Sequence, residues 1–193
     1  MQPDLVTIFS GTNEVIDRRF DDKALAADVE HIHETLMAQG ATVLTFTLPD
    51  LTPVMPVARV ISDRVRLLND TLRAVATRTG ATLVDMALYS VASDRRIWSD
   101  DRLHANSLGH ERIAHALAFA LGLPEADDTW REPLPAEPDL TRSALVLGEV
   151  RWGGRYLLPW VWRHLRGRSS GDGITAKRPL LEAVTPDNFN LDT

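Results

Sequence analysis

The sequence predicts an α/β fold built on a parallel sheet. Short β-rich apolar runs alternate with longer stretches whose apolar residues recur at helical spacing, and a Gly or Pro marks most of the changes. Strands separated by helices form βαβ units, whose strands lie parallel and whose crossovers are right-handed. In open sheets of this kind the chemistry collects at the carboxyl ends of the strands.

The first strand is predicted at residues 5–9, an apolar run closed by Ser10-Gly11. A helix follows over 23–39, with Leu25, Val29, Ile32 and Leu36 on one face and Gly40 as its stop. Residues 41–47 form the second strand, ended by Pro49-Asp50, and Pro53 and Pro56 make 51–57 a loop. The second helix is predicted over 59–79 from Ile61, Val65, Leu68, Leu72 and Val75, with Gly80 closing it. Residues 81–85 are the third strand. After a polar loop, a last helix over 107–121 carries Ile113, Leu117 and Leu121. The strand ends therefore present Ser10 to Asn13, Leu48 to Asp50, and Asp85-Met86 on one rim, within reach of a loop holding Asp101 and His104.

The rest of the chain differs in composition. Residues 124–140 contain Pro124, Pro133, Pro135 and Pro138 among acids and read as an extended linker. Residues 141–168 interleave Trp152, Tyr156, Trp160 and Trp162 with Arg151, Arg155, Arg163, Arg166 and Arg168, and read as a helical tail. Such a segment more often packs on its own domain than on a membrane, so membrane contact is not expected. Residues 169–193 read as a flexible C-terminus.

Composition narrows the function. The 193 residues suffice for one domain with a real core, and 44% hydrophobic with 25% charged residues is a globular balance. A net charge of -6 gives no argument for nucleic-acid binding. The absence of cysteine excludes disulfides, thiolate metal sites and a cysteine nucleophile. The first residues, Met1-Gln2-Pro3-Asp4, do not read as a signal peptide, and no apolar run reaches the ~20 residues of a membrane span. The expected location is the cytoplasm.

Two short motifs carry chemistry. In Asp101-Arg102-Leu103-His104, a carboxylate three residues before an imidazole can accept the Nδ1–H, fix the tautomer and free Nε2 as a base. Taken alone, such a tetrapeptide is more often structural. In Ser10-Gly11-Thr12-Asn13, an Asn after a buried strand can aim its amide into the rim as an oxyanion donor. Taken alone, Gly and Asn there are turn residues. His31 and His33, two apart on a helix, read as surface or partly packed. His110 and His115 lie on the last helix, where His110 reads as a packing residue ahead of one that caps the helix or lines the site entrance. Asp85 has a minor claim to contact the active-site loop, and Trp98 either supports that loop or walls a pocket.

Together, in this order, the motifs resemble the SGNH (GDSL-type) hydrolases. The run PDLVTIFSGTNEV resembles that family's Gly-x-Asn-Asp block, with Glu14 where Asp is usual, and DDRLHANSLGHERIAHALAFALGL resembles its Asp-x-x-His block. RLLNDTLRAVATRTGATLVDM resembles the helix and strand between them. The tail GRSSGDGITAKRP resembles bacterial members. The resemblance implies a three-layer α/β/α flavodoxin-like fold over residues 1–123, with a sheet lacking its first two strands. It implies His104 as general base, Asp101 as its orienting carboxylate, Asn13 as oxyanion donor and Gly11 as the residue permitting the tight oxyanion-loop turn. The implied reaction is hydrolysis of a small-molecule carboxylic ester, with no metal or organic cofactor.

The family's nucleophile block, Gly-Asp-Ser, stands upstream of Gly-x-Asn, yet only ten residues precede Gly11 and none of them supplies it. Gly171-Asp172-Gly173 lacks the serine and follows the wrong elements. The sequence therefore reads as N-terminally truncated, and this form is expected to be inactive. Removing the serine of a triad costs on the order of 10^6 in kcat. The first strand should expose an edge through which chains self-associate. The alternatives are a non-catalytic remnant that binds a ligand, and an acyltransferase.

Overall fold

The structure, a computed structural model, describes residues 2–17, 19–138, 141–166, 174–176 and 180. It comprises two compact units, residues 1–139 and 140–193. The expected flexible C-terminus lies outside the described residues, apart from 174–176 and 180.

The first unit holds a three-stranded parallel sheet in the order β1 (Leu5–Ile8), β2 (Thr42–Phe46), β3 (Thr82–Val84). Leu5 pairs with Thr42, and Leu44 with Thr82. Three helices match the expected periodic segments: α2 (Asp22–Ala38), α3 (Ser62–Thr79) and α4 (Ser107–Ala120). Asp21 caps α2 by accepting from the Lys23 and Ala24 amides at 3.1 and 3.0 Å. A left-handed Gly80 ends α3.

Successive crossovers of one hand place α2 and α3 on the same face. Val29, Leu68, Leu72 and Val75 share one core cluster there, with Leu48 and Val54 from the segment after β2. A second cluster gathers Val84, Met86, Ala116 and Trp130, with Phe46 and Ile113 packed against it. The two clusters give the helix, sheet, helix layering of the expected α/β fold.

Several details depart from the sequence reading. Residues 12–16 form a short helix, α1 (Thr12–Ile16), so Asn13 stands on a helical turn rather than on a loop. The buried line of α2 is Leu25, Val29 and His33, while Ile32 stays 41% exposed. His33 thus takes the core position assigned to Ile32. The chain enters α3 through a 3-10 helix, Pro56–Ile61, because Pro56 fixes the first turn but cannot extend it backwards. The Pro-rich stretch is not an extended linker throughout. A 3-10 turn at Thr129–Arg131 buries Trp130 to 4% exposure, edge-on to Tyr89 at 4.8 Å. The prolines spaced the chain away from regular structure, but the large apolar area of one tryptophan returned it to the domain.

The second unit is helical: α5 (Arg142–Trp152), a π turn over Gly153–Leu157, and α6 (Leu158–Leu165).

Candidate active site

Gly11 ends β1 with φ 103, a left-handed conformation that glycine adopts without strain. Space forbids anything larger as well, since a Cβ there would lie 2.3 Å from Leu68 Cδ1. The turn starts α1, in which the Val15 amide donates to the Gly11 carbonyl at 3.1 Å. Asn13 sits in the first turn of α1 with its side chain exposed.

The Asp-His loop is held at both ends. Trp98 and Ala105 form an antiparallel bridge, and the Ser99 amide donates to the His104 carbonyl at 2.8 Å. Asn106 caps α4 through the Gly109 amide at 3.0 Å, while its Nδ2 donates to the Arg96 carbonyl at 2.7 Å. Gly109 allows this approach: a Cβ would lie 2.2 Å from the Ile97 carbonyl oxygen. Trp98 donates its indole N–H to the Ala92 carbonyl at 3.1 Å and packs against the first core cluster, so it supports the loop. Arg102, between the two candidate residues, is buried with φ 64, a left-handed conformation rare outside glycine. That turn brings Asp101 and His104 side by side.

His104 Nδ1 lies 2.6 Å from Asp101 Oδ2. Asp101 Oδ1 accepts the Leu103 and His104 amides at 3.0 and 3.1 Å. Burial works against the Asp101 charge, but the imidazole and these two amides outweigh it and hold the carboxyl below its ordinary range. The His104 side chain is 75% exposed. Among the described residues no hydroxyl hydrogen-bonds to its imidazole.

A cleft of about 400 Å³ opens beside these loops. Thr12, immediately before Asn13, and Leu103, immediately before His104, both line it. The cleft thus reaches the neighbours of both candidate segments, while Asn13, Asp101 and His104 are not among its lining residues. Its wall is largely apolar, with Val15, Leu51, Ile61 and Val65, and carries Arg73 and Asp70.

Beside the cleft lies a polar frame that no local sequence pattern signals, Asn69 apart. Asp85, at the end of β3, accepts Arg73 Nε at 2.8 Å and the Thr47 hydroxyl at 2.8 Å. Thr47 in turn accepts the Ala87 amide at 2.9 Å. Burial opposes the Asp85 charge, yet Arg73 and Thr47 bring its pKa below the usual value. Buried Asn69 pairs with Leu48 twice, donating to its carbonyl and accepting from its amide, each at 2.8 Å. These bonds tie α3 to the ends of β2 and β3. A polar residue inside an apolar helical face, such as Asn69, was the signal available. His110 and His115 are exposed rather than packed. No group of three or more His, Asp or Glu placed to hold a metal exists among the described residues.

The GDSL-like Lipase/Acylhydrolase family matches residues 1–112. Among solved structures the chain is similar to LAE5, an alpha/beta hydrolase enzyme from the metagenome of Lake Arreo, Spain, at 24% identity with a TM-score of 0.52. That match covers 63% of this chain and 61% of LAE5, so it spans less than two thirds of that chain and bears on the fold alone. No curated protein matches the chain. With the Gly-x-Asn turn, the Asp-His loop and the family match all falling within the first 112 residues, the chain belongs to the GDSL-like lipase/acylhydrolase family.

Proposed function

We propose that this chain carries the acid–base half of a serine ester hydrolase. The reading rests on one observation, the 2.6 Å contact between His104 Nδ1 and Asp101 Oδ2 in a loop whose other bonds fix both residues. A carboxylate in that place orients the ring and compensates the imidazolium that forms when Nε2 takes a proton. The family's nucleophilic serine stands in a Gly-Asp-Ser block, which these 193 residues do not contain. In the nucleophile-bearing form, His104 removes the serine proton as the oxygen attacks the ester carbonyl. The Asn13 amide and backbone N–H groups stabilise the tetrahedral oxyanion. His104 then protonates the leaving alcohol and later activates water for deacylation. The apolar wall of the cleft suits the acyl side of such an ester, and the fold by itself does not choose the acyl group or the alcohol.

The test has two arms. The 193-residue chain hydrolyses p-nitrophenyl acetate no faster than its His104→Ala variant. The same chain joined to a Gly-Asp-Ser-bearing N-terminal segment of the family reacts with a fluorophosphonate and turns over the ester, and His104→Ala abolishes both. Serine-type turnover by the 193-residue chain that disappears in His104→Ala overturns the assignment of the nucleophile. Undiminished turnover by the joined His104→Ala chain overturns the hydrolase reading.

A further inference from the structure

We propose that the helical second unit docks flat on an anionic phospholipid surface. The inference is independent of the hydrolase reading and starts from charge. Residues 141–166 hold five arginines, Arg142, Arg151, Arg155, Arg163 and Arg166, against Glu149 alone. That is a net +4 within a chain of net -6, leaving -10 on the remainder. A basic segment on an acidic protein is attracted to a negative surface that the rest of the molecule avoids.

The arginines are arranged, not scattered. Val146, Val150, Leu158, Trp162 and Leu165 recur at four-residue spacing, with Gly154 filling the gap and a three-residue step at the end. Each of those five apolar residues is at least 57% exposed. One position along runs a second row, Arg151, Arg155, Arg163 and Arg166. In an α-helix a four-residue row drifts by about 40° per step. The π turn at Gly153–Leu157 has more residues per turn and takes back part of that drift. It keeps the apolar and basic rows running side by side from α5 into α6.

Chemistry within the rows fits an interface between water and lipid. Leu158, Trp162 and Leu165 supply apolar volume, and indole rings favour headgroup depth. Arg166 stacks over the Trp162 ring at 4.1 Å and Arg155 over Tyr156 at 5.4 Å, so guanidinium groups sit beside the rings that would enter. No helix among the described residues is long and apolar enough to cross a membrane. α6, whose apolar and basic residues fall on separate faces, is of the amphipathic kind that lies in the interface plane. The composition of this segment by itself favours packing on the chain's own domain; its net charge of +4 beside a continuous apolar row carries the membrane reading instead.

The test is co-sedimentation of the full 193-residue chain with vesicles. Binding is expected on mixed phosphatidylcholine and phosphatidylglycerol vesicles, reduced by salt, and not on phosphatidylcholine alone. Tryptophan emission should shift to the blue on binding. Each arginine near the surface contributes roughly fivefold to partitioning, so Arg151→Gln with Arg155→Gln and Arg163→Gln should weaken it about 100-fold. Leu158→Ser with Trp162→Ser should remove it and the emission shift together. Val60→Ser, which alters an 84% exposed apolar residue of the first unit, should leave it unchanged. Circular dichroism of the variants checks that their helicity persists, and glutamine retains helix-forming strength at the three arginine positions. Absence of binding to the mixed vesicles, binding that ignores both the arginine and apolar substitutions, or equal loss in Val60→Ser overturns the proposal. So does association of chains through this helix without vesicle binding.

Discussion

Asp101 holds His104 by two oxygens used for different purposes. Oδ2 meets the imidazole Nδ1 at 2.6 Å, while Oδ1 accepts the backbone amides of Leu103 and His104. The substitution Asp101→Asn separates these roles. An amide oxygen can keep the backbone contacts, but it no longer supplies the charge that fixes the ring tautomer. In the nucleophile-bearing form, ester turnover should fall by about 10^4. The melting temperature should move by only a few degrees. A loss of turnover smaller than about tenfold would show that His104 is positioned by something other than Asp101.

Gly11 is expected to be the costliest single position in the turn that presents Asn13. Its φ of 103 excludes other residues by strain, and Leu68 Cδ1 occupies the space of any Cβ. Gly11→Ala should destabilise the chain by about 2–5 kcal/mol, combining backbone strain with overpacking. Urea unfolding measures it directly. A cost below about 1 kcal/mol would mean that α1 shifts freely, and that the Asn13 turn is not rigidly placed.

The features legible in the sequence were local ones. Gly11, Asp101 and His104 announce themselves within four-residue windows, and the strand and helix order follows from periods of two and 3.6. The misread features depend on distant partners. His33 replaced Ile32 in the core because α3 presents Thr79, which hydrogen-bonds His33 Nδ1 at 3.2 Å. Nothing near His33 in sequence signals that. Asp85 is ordinary until Arg73 and Thr47 converge on it from two other elements. Trp130 was hidden among prolines, whose effect on regular structure is easier to read than one ring's burial.

Two acid transitions should be separable. Thr79 donates its hydroxyl to the Val75 carbonyl at 3.0 Å, so it accepts from His33 Nδ1–H. That leaves Nε2 buried, unprotonated and without a hydrogen-bond partner. Burial lowers the His33 pKa below 6.5, so the unfolded chain binds the proton more readily. Stability should therefore fall as pH drops below about 6.5, and His33→Leu should remove this arm of the curve. Asp85 acts lower. Its depressed pKa contributes stability that is complete above about 3.9 and disappears as pH falls through the folded value. Asp85→Asn should reduce that second arm, to which the lowered Asp94 and Asp101 also contribute, and cost about 1–3 kcal/mol at neutral pH, since Arg73 loses its charged partner there and keeps Asp70. Urea midpoints across pH for the three proteins check both. An unchanged slope between neutral and mildly acid pH in His33→Leu would show that another group governs it.

The open edge of β1 gives a backbone-level expectation. The Thr42 amide donates to the Asp4 carbonyl at 2.8 Å, and Leu5 stands opposite Thr42. In a parallel ladder this turns the Val6 amide and carbonyl toward β2, so those of Leu5 and Thr7 point away from it. On that side β1 has no strand partner among the described residues, and Leu5 and Phe9 are 46% and 47% exposed. Such an edge recruits other strands, so the 193-residue chain should associate with itself as concentration rises. Thr7→Pro removes one outward N–H without touching the ladder to β2, whereas Val6→Pro removes an inward one. Light scattering after size exclusion should show Thr7→Pro folded and less associated, and Val6→Pro destabilised. A wild-type chain that stays monomeric throughout, or a Thr7→Pro variant that associates as strongly, would show that this edge is not the contact.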